Sequence, residues 1–372
     1  MSITATDPAQ DTRFMTLALR LARRGWGRVW PSVSVGCLLV KDGAIIAQGW
    51  TQPGGRPHAE IHALEQAGEA AHGATAYVTL EPCAHHGRAG PCCEALVAAG
   101  IARAVIAIED PDPRTAGQGI ARMRAGGVAV EVGLLADEAR EVAAGFLLRL
   151  ALGRPLVTAK IAASLDGRIA THTGASRWIT GPQARAFGHR LRAENDAIAV
   201  GGQTALLDDP TLDCRLPGLT DRSPVRVVFD GRLALPLTAQ MVRTARQQPT
   251  WILAREDADK ARQRAFKDAG VTVVPVPVAG ERMDLAAALT CLGDHGITRL
   301  LVEGGGRLIA ALLTEDLIDT LHWFRAPMLI GGDGTPAVAA YGIDTPDTAR
   351  RFRRVDSVFL GDDLLETFTV ER

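Results

Sequence analysis

The chain is short of lysine, tyrosine and net charge. Lys occurs only at Lys41, Lys160, Lys260 and Lys267, and Tyr only at Tyr77 and Tyr341. The 41 basic side chains, nearly all Arg, face 42 acidic ones, a formal net charge of -1. So even a balance leaves no electrostatic footprint for long nucleic acids or anionic membranes. The preference for Arg reads as coding bias. No apolar run approaches the roughly 18 residues that a membrane helix needs. Met1-Ser-Ile-Thr-Ala-Thr-Asp-Pro8 has neither the basic nor the apolar region of a signal peptide. The expectation is a cytoplasmic protein, where thiols stay reduced. The six cysteines then read as core residues or metal ligands, not as a disulfide framework. Internal repeats and low-complexity tracts are also absent.

What is present is an ordinary globular composition, 47% hydrophobic and 22% charged, which argues against disorder. A length of 372 residues suggests two domains, at about 150 residues each. Helical and strand patterns alternate throughout, the mark of an α/β class. Asp42-Gly43 between two apolar runs is a strong hairpin signal. Periodicity predicts helices over 58–66, near 91, and over 137–150 and 182–192, with strands at 76–80, 104–108, 156–162, 197–200, 225–229 and 366–370. The pattern pauses at Gly153-Arg154-Pro155. The domain boundary is placed there, giving segments 1–152 and 153–372.

Three of the six cysteines fall between positions 83 and 93. His58-Ala59-Glu60 opens a helix, Pro82-Cys83 follows a strand, and Cys92 begins the next helix. One imidazole and two thiolates suit a tetrahedral zinc whose fourth position is left to water. Zinc lowers the pKa of that water to about 7. Glu60, in the first helical turn, could reach over the water without ligating the metal, as a proton shuttle. The pieces match the zinc-deaminase pattern His-x-Glu … Pro-Cys-x-x-Cys, except that a longer loop precedes the second Cys. The competing reading is a structural zinc whose fourth ligand is His85, His86 or Cys93; Cys93 reads instead as a small core residue. His85-His86-Gly87-Arg88 inside the loop reads as polar and basic groups over the substrate, with a solvated turn as the alternative.

A second constellation follows. Leu300-Leu-Val-Glu303-Gly304-Gly305-Gly306-Arg307 reads as strand, glycine turn and helix, and such a helix start can cradle a phosphate. It is not the dinucleotide fingerprint, because Ile309 stands where a third glycine belongs. Lys160-Ile-Ala-Ala-Ser164-Leu-Asp166-Gly167-Arg168, Trp178-Ile-Thr180 and Asp208-Asp209-Pro210 are each ambiguous alone: Asp166-Gly167 also reads as a turn and Asp208-Asp209-Pro210 as a helix stop.

Together these motifs closely resemble the bifunctional riboflavin-biosynthesis deaminase–reductase family. The resemblance runs from about Arg13 to Val370. It also takes in Thr79-Leu-Glu81-Pro82-Cys83, Asp110-Pro-Asp-Pro113 and Gly117-x-Gly119. It implies a cytidine-deaminase-like α/β/α N-terminal domain and a dihydrofolate-reductase-like α/β C-terminal domain. It implies hydrolytic deamination of 2,5-diamino-6-(5-phosphoribosylamino)pyrimidin-4(3H)-one, then reduction of the ribosyl chain to ribityl with NADPH. By position, His58, Cys83 and Cys92 would hold Zn2+ and Glu60 would carry protons. Ala162, Trp178, Thr204, Asp208, Gly231, Gly305, Gly306 and Arg307 would line the NADPH site. Ser176, Arg192, Leu212, Arg215 and Glu303 would contact the substrate, with Arg192 and Arg215 suited to its phosphate. The implied partner is a small molecule, with no nucleic acid and no membrane, and the implied assembly a homo-oligomer.

Three positions depart from the family pattern. Ser32 stands where Asn is usual, Ala89-Gly90 replaces Thr-Pro in the metal loop, and Gly231 replaces a frequent Ser. Two other readings stay open at this point. One is a nucleoside or nucleotide deaminase whose second domain only binds a ligand. The other is a zinc-stabilised scaffold with four protein ligands.

Overall fold

The structure is a computed structural model and describes residues 8–86 and 90–370. The chain divides into two compact units, Met1–Leu152 and Gly153–Arg372. Among the described residues no helix is long and apolar enough to cross a membrane.

In the first unit, α1 (Pro8–Ala22) precedes the hairpin of β1 (Gly36–Lys41) and β2 (Ala44–Trp50). Asp42 and Gly43 both take positive φ, as a tight hairpin turn requires. Then come α2 (Ala59–Ala67), β3 (Thr75–Val78), α3 (Cys92–Ala98), β4 (Arg103–Ile106), α4 (Gln118–Ala125), β5 (Ala129–Val132) and α5 (Ala136–Leu152). The sheet order is β2-β1-β3-β4-β5. β1 runs antiparallel to both neighbours, and β3, β4 and β5 run parallel.

Two glycines set how closely helices lie on this sheet. A Cβ at Gly36 would come within 1.9 Å of the Ala18 carbonyl oxygen, and one at Gly49 within 1.9 Å of that of Ala59. Thus β2 fixes the start of α2, where His58 and Glu60 stand. A buried carboxylate ties the unit together. Asp11 accepts two bonds from Arg103, at 3.0 and 2.8 Å, and one from the Tyr77 hydroxyl.

The second unit is built on a nine-stranded sheet. Its strands are β6 (Leu156–Ser164), β7 (Ala197–Gly201), β8 (Val225–Phe229), β9 (Thr250–Arg255), β10 (Thr272–Val276), β11 (Arg299–Glu303), β12 (Thr320–Ala326), β13 (Phe352–Leu360) and β14 (Asp363–Val370). In space they run β10-β9-β8-β7-β11-β6-β12-β14-β13. The first seven of that row are parallel; β14 and β13 add antiparallel at the edge. The helices are α6 (Pro182–Ala193), α7 (Gly202–Asp208), α8 (Lys260–Asp268), α9 (Leu285–Asp294) and α10 (Gly306–Thr314), with a further short turn at Gln240–Arg243. The buried pair of Arg154 and Asp319, at 2.7 and 2.9 Å, pins the starts of β6 and β12, helped by Val157 N–H donating to the same carboxylate. The α/β expectation holds in both units.

The structure adds elements that the periodicity had not suggested. Helices α8 and α9, the strand β12 and the edge strand β13 are new. Asp166-Gly167 is a turn between β6 and the short strand Arg168–Ala170, and Asp208-Asp209 does end a helix, with Asp209 in the left-handed region.

Candidate active sites

The first site forms where α2, the loop after β3 and α3 converge. His58 is the N-cap of α2, with extended backbone, so its ring is free of the helix spiral. Glu60 lies in the first turn and is 3% exposed. Cys92 is the first residue of α3. His58 Nδ1 lies 3.6 Å from Cys83 Sγ and 3.3 Å from Cys92 Sγ. All three ligand atoms fall within 4.8 Å of one another. Zinc bonds of about 2.0–2.3 Å at tetrahedral angles place such atoms about 3.6 Å apart. The spacing and the one-imidazole, two-thiol donor set therefore fit that ion. Cys93 is buried in the hydrophobic core, as a small core residue.

The electrostatics follow from burial and close packing. Cys92 donates to Cys83, and that bond brings the Cys83 thiol down to about 4. The same bond, with burial, pushes Cys92 well up. The bond to Cys83 also raises His58. Burial raises Glu60 to about 7, against the opposing pull of His58. A carboxyl in that range can both accept and release a proton near neutrality.

Glu81 and Asp110 carry no role of their own in the sequence motifs, and the structure shows what they do. The Glu81 carboxylate accepts from the N–H groups of Asp110, Gly117 and Ile120 at 3.1, 2.9 and 3.0 Å. One residue before Pro82-Cys83, it ties the metal loop to the loop after β4. Gly119 is required there, because a Cβ would stand 2.1 Å from the Pro82 carbonyl oxygen. Asp110 is buried, and that burial raises it to about 6. His85 Nδ1 faces Thr115 Oγ1 at 3.4 Å, while His86 is exposed near Glu94. Arg88 and Ala89 lie outside the described residues. Ser32 stands beside the Gly55 turn, where a Cβ would meet its hydroxyl.

The second site lies along the carboxyl ends of the parallel strands, where such sheets bind ligands. Glu303 ends β11 and is 8% exposed. Arg192, on α6, grips it in a fork, with Nε and Nη2 at 2.8 and 2.9 Å. The third Arg192 bond, from Nη1, goes to the Asp213 carbonyl at 2.9 Å. Lys160 Nζ, on β6, stands 3.6 Å from the same carboxylate. Burial alone would raise Glu303; the charges of Arg192 and Lys160 overcome it and bring the group to about 2. Arg215 is half exposed and bonds to Asp213 and Thr211. Leu212 has its side chain buried in the core and takes a positive φ, so it offers a ligand its backbone alone. Ser176 and Trp178 are exposed on the loop before α6, with Arg185 stacked 4.6 Å from the Trp178 ring.

The remaining positions lie on β6 and after β11, β7 and β8. Gly304 and Gly305 both take positive φ. A Cβ on Gly305 would stand 2.9 Å from Thr204 Oγ1, and one on Gly306 2.8 Å from the Pro336 carbonyl oxygen. Glycine lets this turn pack closely on Thr204 and on the 336–339 backbone, at the amino end of α10, which also carries Arg307. A helix start of this kind suits a phosphate. Ala162 lies on β6, Asp208 at the end of α7, and Gly231 just past β8.

Known proteins show the same division. The family model for the cytidine and deoxycytidylate deaminase zinc-binding region matches residues 8–108, and that for the RibD C-terminal domain matches residues 155–365. The riboflavin biosynthesis protein RibD of Escherichia coli is 40% identical over 95% of this chain and 98% of its own length. The chain belongs to the RibD family. The RibD protein of Aquifex aeolicus is 38% identical, over 96% of this chain and 98% of its own. The crystal form 1 of Acinetobacter baumannii RibD superposes with a TM-score of 0.88 at 36% identity, covering 98% of this chain and all of that one. The Thermotoga maritima structure of a diaminohydroxyphosphoribosylaminopyrimidine deaminase/5-amino-6-(5-phosphoribosylamino)uracil reductase gives 0.85 at 31% identity, over 98% and 99% of the two chains. As a RibD protein, the chain is a bifunctional enzyme of riboflavin biosynthesis, a zinc-binding deaminase joined to an NADPH-dependent reductase. That removes the readings of a merely ligand-binding second domain and of a zinc scaffold.

Proposed function

We propose that the chain deaminates 2,5-diamino-6-(5-phosphoribosylamino)pyrimidin-4(3H)-one in segment 1–152. Segment 153–372 then reduces the ribosyl chain of the product, giving 5-amino-6-(5-phosphoribitylamino)uracil. The observation that carries this is the convergence of His58, Cys83 and Cys92 beside the buried carboxyl of Glu60.

His58 Nδ1 and the sulfurs of Cys83 and Cys92 would hold the zinc, which supplies an activated water at neutral pH. Glu60 moves the protons, to a ring nitrogen and then to the departing amino group. Its burial keeps bulk water from competing for them. Glu81 is a positioning residue that holds the metal loop against the loop of Asp110.

NADPH supplies the hydride in the second segment. Gly305, Gly306 and Arg307 at the amino end of α10, with Ala162, Trp178, Thr204, Asp208 and Gly231, would hold it. Glu303 orients Arg192 and Lys160, while Ser176, Arg215 and the Leu212 backbone face the substrate. Lys160, whose Nζ stands 3.6 Å from that carboxylate, would be the proton donor to an oxygen of the opening sugar. The even charge supports a small-molecule enzyme of the cytoplasm with neither nucleic acid nor membrane as partner. A homo-oligomer rests on the family resemblance alone.

The test is the mass of the product formed from the diaminopyrimidine phosphate with the zinc-loaded chain and NADPH. Exchange of one amino group for oxygen with a gain of two hydrogens is expected. An unchanged substrate would overturn the assignment.

A further inference from the structure

Beyond β6 and β12 the chain forms two loops that burial does not hold. Leu165 and Leu329 are 55% and 73% exposed, and Asp166 is exposed as well. β6 and β12 are parallel neighbours. Both loops therefore stand at the carboxyl edge of the sheet, the edge of the reductase site.

Hydrogen bonds hold these loops instead, and they centre on one carboxylate. Asp166 Oδ2 accepts from the Gly331 N–H at 2.8 Å and Oδ1 from the Ile330 N–H at 3.2 Å, across 165 and 164 positions of sequence. Oδ1 also accepts from the Ser164 hydroxyl at 2.5 Å, and Ser164 Oγ accepts in turn from the Arg168 N–H at 2.9 Å. The Leu165 N–H donates to the Met328 carbonyl at 2.8 Å. The Ser164 hydroxyl first, and then the Gly331 N–H, bring the Asp166 carboxyl down to about 2. It therefore keeps its charge, and bonds to a charged acceptor are the stronger kind.

From this staple the chain runs on along the same edge. Thr335 and Pro336 pair with the short strand Arg168–Ala170, and the Ala337 N–H donates to the Gly167 carbonyl at 2.9 Å. Gly334 is needed on the way, because a Cβ there would stand 2.9 Å from the Ala170 carbonyl oxygen. The Ala339 N–H then donates to the Gly306 carbonyl at 3.0 Å. One strap, residues 328–339, thus joins the turn after β6 to the start of α10, beside Gly305, Gly306 and Arg307. None of Ser176, Arg192, Leu212, Arg215 and Glu303 lies on it.

We propose that Asp166 is a positioning residue of the reductase, which fastens the strap and through it sets the Gly306 turn that receives NADPH. The proposal rests on the reductase reading above. Asp166 acts through Gly306 and not on the reacting atoms. The strap reaches the cofactor turn and carries none of the substrate-facing residues, so loosening it should weaken one ligand and spare the other.

Steady-state reduction of the deaminated pyrimidine by the full, zinc-loaded chain tests it, with NADPH and then the pyrimidine varied. Asp166→Ala should raise the KM for NADPH by about 10-fold or more, and that for the pyrimidine by less than about 2-fold. Asp166→Asn keeps one acceptor oxygen and should recover part of the loss. Calorimetric titration should show NADPH binding weakened alongside its KM. The Ile330 and Gly331 amides should exchange with deuterium faster in both variants, while those of β6 and β12 keep their protection. Deamination should be unchanged. Should the Ala variant not fold, the Asn variant decides by the same two KM values. Equal rises in both KM values would mean that the staple only steadies the fold, and would overturn the proposal. So would a lowered melting temperature with NADPH affinity as in the wild type. A folded wild-type chain that neither binds nor oxidises NADPH would overturn the reductase reading itself, and this inference with it.

Discussion

Glu60→Gln should stop ammonia release while the metal stays bound. Gln has nearly the volume of Glu, and position 60 is 3% exposed, so the replacement fills the same space. It cannot carry a proton. General acid–base catalysis of this kind contributes about 10²–10⁴-fold, and a loss of at least about 10³-fold is expected where one group serves two transfers. His58, Cys83 and Cys92 are untouched, so zinc content measured by atomic absorption should stay at one ion per chain. Reduction of the already deaminated compound should also be unchanged. Deamination retained in the variant would remove Glu60 from its role.

Glu303→Gln should do the reverse. The carboxylate lies between Arg192 and Lys160, with its side chain about nine-tenths buried. Removing one partner of a buried ion pair leaves an uncompensated charge, at a cost of about 3–5 kcal/mol. Because Gln keeps one acceptor, the lower figure of about 3 kcal/mol is expected, a fall of roughly 6–12 °C in the melting of a unit this size. Arg192 also loses its fixed orientation, so reduction should slow by about 100-fold or more, with deamination intact. The acid limb should change too. The Glu303 carboxyl is brought down to about 2 in the folded chain, below its ordinary value near 4.3. Its contribution to stability is complete above that ordinary value and is lost as pH falls toward 2. The Gln variant should lack this part of the acid sensitivity when both proteins are melted between pH 5 and pH 2.

The two constellations differ in how far the sequence displayed them. The metal site is made of short segments whose ends are marked locally: an N-cap His, a strand-end Cys and a helix-start Cys. Spacing therefore brought out His58, Glu60, Cys83 and Cys92 before any coordinates. The Glu303 centre is different. Its partner Arg192 lies 111 positions away, and nothing local says that α6 and β11 meet at their ends. Glu81 escaped a role for a related reason, since its partners are backbone N–H groups, which leave no residue signature. Leu212 shows the limit of carrying a contact over by position. Its side chain fills the core, and only its backbone is left to a ligand.

The elements that periodicity missed have physical reasons as well. Helix α8, Lys-Ala-Arg-Gln-Arg-Ala-Phe-Lys-Asp, buries only Gln263 and Phe266, too little for an apolar stripe. Strand β13 is exposed along nearly its whole length, so it lacks the alternation of a half-buried strand. The hairpin of β1 and β2 was legible because Asp42-Gly43 supplies the two positive φ values that its turn needs.

The most direct measurement is the product mass given by the two variants, separately and mixed, with the diaminopyrimidine phosphate, zinc and NADPH. Glu60→Gln alone should return the substrate unchanged. Glu303→Gln alone should accumulate the compound with one amino group exchanged for oxygen. An equimolar mixture should add two hydrogens to that compound, because each variant supplies the step the other lacks. A reduced product from Glu303→Gln alone, or a deaminated one from Glu60→Gln alone, would contradict the assignment of one reaction to each site.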